Sequence, residues 1–185
     1  MRWLVASIWL VGCDQTWGLV HVGDPPIDGP LECPAKYDLR IGASSYWRSD
    51  LEVRWDTAEQ QCEMDRMGIA RATHLVVLTD ETERLGLYSL LEGRGVTKNV
   101  WIGFSDRRTE NAFVWVTNEP VGAPPNKQTP PWAPAQPDNQ AGNQDCVRLE
   151  PPNGSDPSLL DDVECIATFQ FVCECDDWMP APANF

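Results

Sequence analysis

Near the C-terminal end of this chain, oxygen-bearing side chains alternate with cysteines at short spacing. The run contains Gln136-Pro137-Asp138, then Gln144-Asp145-Cys146, then Asp161-Asp162-Val163-Glu164-Cys165, and it ends at Cys173. Carboxylate and amide oxygens are hard ligands, and disulfide bonds can hold the loops that present them, so the run is typical of a calcium site. Gln136-Pro137-Asp138 taken alone predicts only a turn. The acids and cysteines that follow it are what favour a binding site.

The charge balance limits the classes of partner. The chain has 185 residues with 14 Lys and Arg against 28 Asp and Glu, a formal charge of -14. Such a surface repels phosphate backbones and argues against nucleic acid. It tolerates divalent cations, although solubility alone would also explain it. A hydrophobic content of 42% is enough for the core of one domain.

The first residues have the features of an export signal. Arg2 precedes a short apolar run that ends at Gly12 and Cys13, and this order is typical of a signal peptide over residues 1–12. Leu10-Val11-Gly12-Cys13 resembles the lipobox of bacterial lipoproteins, which implies cleavage before Cys13 and a lipid on its sulfur. The alternative is a buried strand with a free cysteine. We favour an exported lipoprotein on the periplasmic or extracellular side, and otherwise a secreted protein, with membrane contact only through the lipid.

The number of cysteines supports export. Seven is odd, and an odd cysteine in a secreted chain needs an explanation. If Cys13 is lipidated, six remain, and an even set in an exported chain is typical of three disulfides. Reduced, buried thiols in a cytosolic protein are the alternative. A metal–thiolate site is less favoured, because Cys173 and Cys175 have no histidine nearby in the sequence.

Between a flexible tether (13–32) and a C-terminal tail (176–185), the pattern predicts one domain over residues 33–175. Two helices come early. Thr57 and Gln60 are predicted to cap the first helix, which Gly68 ends, and Asp80 with Glu83 is predicted to cap the second, which Gly93 or Gly95 ends. Strands are predicted at 36–48 (a strand or hairpin), 75–78, 100–104, 113–116, 146–149 and 169–173. Proline-rich residues 118–139 predict a long ordered loop. Helices followed by strands indicate an α+β fold.

At this point the chain resembles the C-type lectin-like domain from Cys33 to Cys175. The marks that carry the resemblance are Trp55 through Cys62, Trp101-Ile102-Gly103, Gln136-Pro137-Asp138, Asp145-Cys146, Asp161-Asp162 before Cys165, and Phe171-Val172-Cys173-Glu174. Each mark is weak by itself, and their order and spacing give the match its strength. The resemblance implies the pairs Cys62–Cys173 and Cys146–Cys165. Cys33 and Cys175 are then expected to pair with each other, unlike the local hairpin bridge of the longer family form.

The same resemblance implies a principal calcium site and an auxiliary one. The principal ligands would be Gln136, Asp138, Gln144, Asp161 and Asp162, with a cis bond between Gln136 and Pro137. The auxiliary site maps to Asp106, Glu110, Asn139, Gln144 and Asp145. For Asp106 and Glu110, an ordinary solvated turn is the alternative.

The resemblance also implies a sugar site made of four of these ligands. Two adjacent hydroxyls of a sugar would each contact one pair, Gln136 with Asp161 and Asp138 with Gln144. Gln-Pro-Asp in this family usually implies galactose preference. Here each hydroxyl meets one acid and one amide, as in the mannose type with its polarity reversed, because Gln144 and Asp161 exchange the usual acid and amide. No aromatic residue follows the motif, and Trp132 is expected either to stack on a sugar or to fill the loop's own core.

An enzyme is not favoured. His21 and His74 are isolated in the sequence, no glycine-rich phosphate loop is present, and Asp161-Asp162 fits ligation better than catalysis. Two hypotheses remain. One is calcium-dependent carbohydrate binding by an exported lectin domain, and the other is a calcium-independent protein-interaction or adhesion module on the same fold.

Overall fold

A computed structural model of the chain describes residues 32–66, 69–117, 119, 132–151 and 159–185. The predicted signal peptide, Cys13 and all of the predicted tether except Glu32 lie outside these residues, as do Gly68 and most of the predicted loop 118–139. Within the described part of the chain, no helix has both the length and the apolar character needed to cross a membrane.

Two helices and a set of short strands form an α+β fold. The helices are α1 (Trp55–Met64) and α2 (Glu81–Gly93). The strands are β1 (Leu39–Ile41), β2 (Ser44–Val53), β3 (Ala72–Leu75), β4 (Val100–Ser105), β5 (Val114–Trp115), β6 (Cys146–Leu149), β7 (Leu160–Val163) and β8 (Phe169–Asp176). The predicted hairpin at 36–48 is present as β1 and β2.

The strands join in the order β1-β2-β8-β4-β6-β7, with β3 also paired to β8 and β5 to β4. All pairs are antiparallel except β4 with β8, which is parallel. The central strand β8 therefore contacts β2, β3 and β4. In the β6–β7 pair, Arg148 lies opposite Asp161 and Val147 opposite Asp162, so two of the predicted ligands stand on a strand rather than in a loop.

Different interactions set the first residues of α1 and α2. Asp80 caps α2 as predicted, because its side chain accepts a hydrogen bond from the Glu83 amide at 2.8 Å. The prediction for α1 was wrong, since α1 begins at Trp55 and Thr57 lies within its first turn. Among the residues that the structure describes, the N-cap residue Arg54 makes no side-chain capping hydrogen bond, and the Trp55 amide donates to the Cys165 carbonyl at 3.2 Å. A tertiary contact therefore sets this start.

Strand β3 also differs from its prediction. It covers Ala72–Leu75 rather than 75–78, although the Val76 amide still donates to the Val172 carbonyl at 2.9 Å. Strand β7 was not predicted. Its sequence, Leu-Asp-Asp-Val, is half acidic, and acidic residues are depleted in strands.

Large aromatic side chains fill the core. Trp55, Trp101 and Trp115 are at most 1% exposed. The indole of Trp55 donates to the Ile102 carbonyl and that of Trp101 to the Val53 carbonyl, both at 2.8 Å, so these buried polar groups are satisfied. Gly103 leaves no room for a side chain, because a Cβ there would lie 2.7 Å from the Leu75 carbonyl oxygen.

The C-terminal residues 176–185 are not a separate tail. Asn184 donates from Nδ2 to the carbonyls of Trp115 (2.9 Å) and Thr117 (3.0 Å). The Phe185 ring packs edge-on against Trp55 with centroids 6.1 Å apart. These contacts make the segment part of the domain, which extends beyond Cys175.

Three disulfide bonds tie the fold together, with the pairing expected above. They join Cys33 to Cys175, Cys62 to Cys173 and Cys146 to Cys165. The first two fix the N-terminal segment and α1 to β8. The third joins β6 to the turn after β7, and thus frames the two strands that carry the predicted acidic ligands.

Candidate functional site

The segment Gln136–Asn139 is held against β7 by one carboxylate. Asp162 is fully buried, and its two oxygens accept hydrogen bonds from the backbone amides of Asp138 (3.0 Å) and Asn139 (2.8 Å). The Gln136–Pro137 peptide bond is cis, as expected. Burial raises the pKa of Asp162, and the two backbone hydrogen bonds oppose that rise. Gln136, Asp138 and Asp162 are thereby brought together.

Gln144 reaches the same segment through a tight turn. Asn139 has a positive φ of 43°, and the 3-10 turn Gln140–Gly142 follows it. The Gln144 amide donates to the side-chain oxygen of Asn139 at 3.1 Å, and the side-chain oxygen of Gln144 accepts from the Gln140 amide. Both amide oxygens thus have partners within this turn.

Asp161 forms an ion pair with Arg148, a residue that the sequence analysis did not connect with the site. Arg148 donates from Nε to Asp161 Oδ2 at 2.9 Å and also from Nη2 to the same oxygen at 2.5 Å. The side chains are 23% and 9% exposed, and the guanidinium also lies 5.2 Å from the centre of the Phe169 ring. This pair follows from the β6–β7 register, which places Arg148 opposite Asp161. It could have been predicted only if β7 had been recognised as a strand.

The five predicted ligands form a suitable donor set that is not assembled into a cage. All five offer oxygen, and three of them are carboxylates, as calcium prefers. Among the residues that the structure describes, however, Asp138, Asp161 and Asp162 do not place one oxygen each within 4.8 Å of one another. The types of ligand therefore suit a calcium ion, although their oxygens are not gathered around one point. Arg148 would compete with that ion for Asp161.

The predicted auxiliary ligands lie near one another in part, although Asp106, Glu110 and Asp145, all within the described part of the chain, also do not place one oxygen each within 4.8 Å of one another. Asp106 is 4% exposed, and its Oδ1 has no hydrogen-bond partner among the described residues. Burial raises its pKa to about 6, the hydrogen bond from the Asn111 amide opposes the rise, and Glu110 and Asp145 add to it. Glu110 accepts from Asn139 Nδ2 at 2.7 Å. An unpartnered buried carboxylate oxygen beside two further acids fits a hard cation.

Trp132 packs against aromatic residues of the domain core. Its ring lies 5.1 Å from Phe113 and 6.2 Å from Phe104, measured between centroids. The observed partners lie outside the loop 118–139, so the ring packs against the domain core rather than within a core of the loop itself.

A second group of buried charges lies on β3 and β8. His74 is isolated in the sequence, yet its Nε2 lies 3.1 Å from Asp176 Oδ1, and it stands opposite Glu174 in the strand register. Burial alone would lower the pKa of His74, but the hydrogen bond to Asp176 and the charges of Glu174, Asp176 and Glu59 raise it to about 9. The sequence feature that could have indicated this group is the spacing of Glu174 and Asp176, which places both side chains on one face of a strand.

Glu59 on α1 is buried close to this group. Its Oε2 accepts from the Leu75 amide at 2.7 Å, whereas its Oε1 has no partner among the described residues. Burial raises its pKa to about 7, His74 and the Leu75 amide oppose the rise, and Glu63 adds to it. Tyr37 also faces this carboxyl, and the pKa of its phenol is raised by burial, by Asp65 and by Glu59.

The comparison with known families decides the identity of the domain. The family model described as the lectin C-type domain matches residues 52–175, which is more than half of the chain. The chain belongs to the C-type lectin domain family. C-type lectins are generally non-enzymatic binding proteins.

Several relatives support this membership in the C-type lectin family. The hemolymph lipopolysaccharide-binding protein of Periplaneta americana is 28% identical over 92% of this chain and 68% of its own length. Echinoidin of Heliocidaris crassispina is 30% identical over 63% of this chain and 80% of its own length.

Solved structures agree on the fold. The C-type lectin CEL-I from Cucumaria echinata superposes with a TM-score of 0.65 at 19% identity, covering 79% of this chain and 99% of CEL-I. The mouse scavenger receptor C-type lectin carbohydrate-recognition domain has a TM-score of 0.60 at 24% identity, covering 78% and 96%.

Proposed function

We propose that this C-type lectin domain binds carbohydrate in a calcium-dependent manner through Gln136, Asp138, Gln144, Asp161 and Asp162. The observation that carries the proposal is the pair of hydrogen bonds from the Asp138 and Asn139 amides to Asp162. They hold the segment with the first two ligands against the strand with the last two. Two distant segments of the chain are thus held side by side before any ion binds, and this reduces the ordering that ion binding would require.

Four of the five proposed ligands would also contact the sugar directly. Calcium would supply coordination to two adjacent sugar hydroxyls. Gln136 and Asp161 would hydrogen-bond one hydroxyl, and Asp138 and Gln144 the other. A carboxylate can only accept a hydrogen bond, while an amide can also donate. Each hydroxyl would therefore meet one obligatory acceptor and one amide, so the Gln-Pro-Asp motif does not by itself assign galactose.

We further propose an auxiliary calcium site at Asp106, Glu110, Asn139 and Asp145, with Gln144 between the two sites. The support is the unpartnered, buried Oδ1 of Asp106 and the bond between Glu110 and Asn139. Asn139 also accepts from the Gln144 amide. A cation at the auxiliary site would therefore stiffen the turn that carries a ligand of the principal site.

The proposed setting is outside the cell. Residues 1–12 would act as a signal peptide, Cys13 would carry a lipid, residues 13–32 would form a tether, and the lectin domain would begin at Cys33. One relative is named for lipopolysaccharide binding, which supports a surface glycan or polysaccharide as the class of ligand. Protein partners are not needed by this proposal, and nucleic acid does not fit the charge.

A second candidate function is calcium-independent protein interaction or adhesion. The ion pair between Arg148 and Asp161 favours it, because that carboxylate already has a counter-ion. The side-chain oxygens of Gln136 and Gln144 also accept backbone amides. A domain with all these contacts retained would be complete without a metal.

Calcium added back to chelator-treated protein separates the two functions. If the proposal holds, millimolar calcium raises the unfolding temperature, and a concentration 100-fold above Kd adds about 2.7 kcal/mol of stability. Asp138→Asn should reduce the shift, because it removes one of the three carboxylates of the principal site and leaves the auxiliary site intact. Asp138 is exposed, so this change should not unfold the domain. Glu92→Gln, an exposed change on α2, is the matched control and should keep the shift.

A glycan array with and without chelator then identifies the sugar class. Signals that vanish in chelator support calcium-dependent binding, and Gln144→Glu should move them toward the galactose pattern. No calcium shift and no glycan signal would overturn the proposal in favour of the second function.

A further inference from the structure

Three buried side chains on neighbouring strands form a compact group outside the proposed sugar site. His74 on β3 lies opposite Glu174 on β8, and Asp176 follows two residues later on the same strand face. Their exposures are 0%, 2% and 5%. One ligand atom from each residue lies within 4.8 Å of the others. An imidazole nitrogen and two carboxylates are ligands that zinc accepts.

The histidine ring is oriented by its backbone contact. His74 Nδ1 lies 2.9 Å from the Leu75 carbonyl oxygen, which can only accept, so Nδ1 carries a hydrogen. A hydrogen bond from the second ring nitrogen to a carbonyl is the usual outer contact of a metal-bound histidine. The other nitrogen, Nε2, lies 3.1 Å from Asp176 Oδ1. For an ion at the usual zinc distances of about 2.0–2.2 Å from Nε2 and Oδ1, the N–metal–O angle would be roughly 95–100°.

A small acidic cavity adjoins this group. It has a volume of about 170 Å³, and its lining includes Glu83, Glu119, Glu174, Asp176 and Asp177. Arg71 also lines it, but its Nε is paired with Asp177 at 3.1 Å. Carboxylates therefore outnumber cationic side chains around the cavity within the described residues. The cavity leaves space for a fourth ligand, either water or the Glu119 carboxylate.

Hydrogen bonds from neighbouring groups hold both carboxylates, and one of the oxygens they reach is the Asp176 Oδ1 that faces His74. Glu174 Oε2 accepts from the Val77 amide at 3.0 Å. The Tyr46 hydroxyl lies 3.2 Å from Glu174 Oε1 and donates its single hydrogen to Glu83 Oε1 at 2.6 Å. Asp176 Oδ1 accepts from the Trp178 amide at 2.8 Å. These bonds fix both carboxylates before any ion arrives, as a preorganised site requires.

We propose that His74, Glu174 and Asp176 bind one divalent transition metal of the zinc class, with the fourth position facing Glu119 and the cavity. Calcium is not the ion expected here, because it takes six to eight oxygen ligands and does not favour imidazole. The metal would link β3 to the central strand β8. The site shares no residue with the proposed sugar site.

The chain offers matched controls for a direct test. It contains two histidines and seven cysteines, of which six are in disulfides. Cys13→Ser in the full chain replaces the one cysteine outside these disulfides, so that position 13 can neither carry the proposed lipid nor compete for the metal. In that background, metal-stripped protein is titrated with Zn²⁺ by calorimetry and with Co²⁺ by visible absorption. His74→Gln is the test variant and His21→Gln its control.

We expect one Zn²⁺ per chain and a Co²⁺ absorption band in the parent protein and in His21→Gln. His74→Gln should lose the band and bind Zn²⁺ at least about 100-fold more weakly, since a ligand is removed. Asp138→Asn should keep both signals, which separates this site from the calcium proposal.

Two results would overturn the proposal. One is a parent protein with no Co²⁺ band and no Zn²⁺ binding tighter than a Kd of about 10 μM. The other is equal binding by His74→Gln and the parent. If His74→Gln fails to fold by circular dichroism, Asp176→Asn replaces it, and the parent Co²⁺ spectrum decides without any variant.

Discussion

Replacement of Arg148 by glutamine should strengthen calcium binding while weakening the calcium-free domain. The guanidinium lies 2.9 Å from Asp161 Oδ2 through Nε, and calcium–oxygen distances are about 2.3–2.6 Å, so a calcium ion bound through that same oxygen would lie within about 6 Å of the guanidinium nitrogen. Coulomb repulsion between charges of +2 and +1 at that distance is about 1.4 kcal/mol even at the dielectric constant of water. Arg148→Gln should therefore lower the calcium Kd at least about tenfold.

The same change should have the opposite effect in chelator. Without Arg148, the Asp161 carboxylate, whose side chain is 9% exposed, loses its counter-ion. A loss of about 1–3 kcal/mol of unfolding free energy follows, since an unpaired buried charge is costly. The variant should thus be less stable than wild type in chelator and should recover more stability when calcium is added. Calorimetric titration and urea unfolding measure the two effects.

A matched control separates local repulsion from net charge. Arg94 pairs with Asp38 at 3.0 Å, and both side chains are well exposed. Arg94→Gln makes the same change in net charge away from the proposed ligands, and it should alter calcium affinity less than about twofold. The difference between the two variants should shrink as salt is raised. If Arg148→Gln binds calcium no more tightly than Arg94→Gln, the assignment of Arg148 as a competitor is wrong.

Three further predictions concern the domain around the site. Because the pKa of Glu59 is about 7 in the folded protein, against 4.5 for an ordinary glutamate, the folded state keeps a proton that the unfolded state loses, so stability should fall as pH rises from about 4.5 to 7. Glu59→Gln should remove the contribution of this group to the slope and be more stable than wild type by about 2–3 kcal/mol at pH 8 in urea unfolding, and equal stability of the two proteins at pH 8 would contradict the sign. Removal of the Cys146–Cys165 bond, which spans 19 residues, by a double alanine change should cost about 3 kcal/mol on the loop-closure relation, and a loss below about 1 kcal/mol would argue that the frame of β6 and β7 does not depend on it. Gly103→Ala should cost about 2–3 kcal/mol because its Cβ would lie 2.7 Å from a backbone oxygen, whereas Gly93→Ala on α2, with open space around it, should be neutral or slightly stabilising in the same thermal scan.

The order of cysteines, aromatic residues and acids along the chain was enough to predict the fold and the disulfide pairing through the family resemblance. Local signals also predicted the start of α2, since Asp80 and Glu83 lie on the same turn. The start of α1 was not predictable in this way. It depends on the buried Trp55 ring and on the Cys165 carbonyl, which is distant in sequence.

For the candidate sites too, some features follow from the sequence and others only from the tertiary structure. The sequence alone determined which residues offer oxygen ligands, because the Gln136-Pro137-Asp138 motif and the Asp161-Asp162 pair are contiguous. Only the tertiary structure decided what those ligands face. Arg148 meets Asp161 through the β6–β7 register, and His74 meets Asp176 across 102 residues of chain. Strand pairing creates both contacts, and its register follows from the packing of the whole sheet rather than from any local pattern.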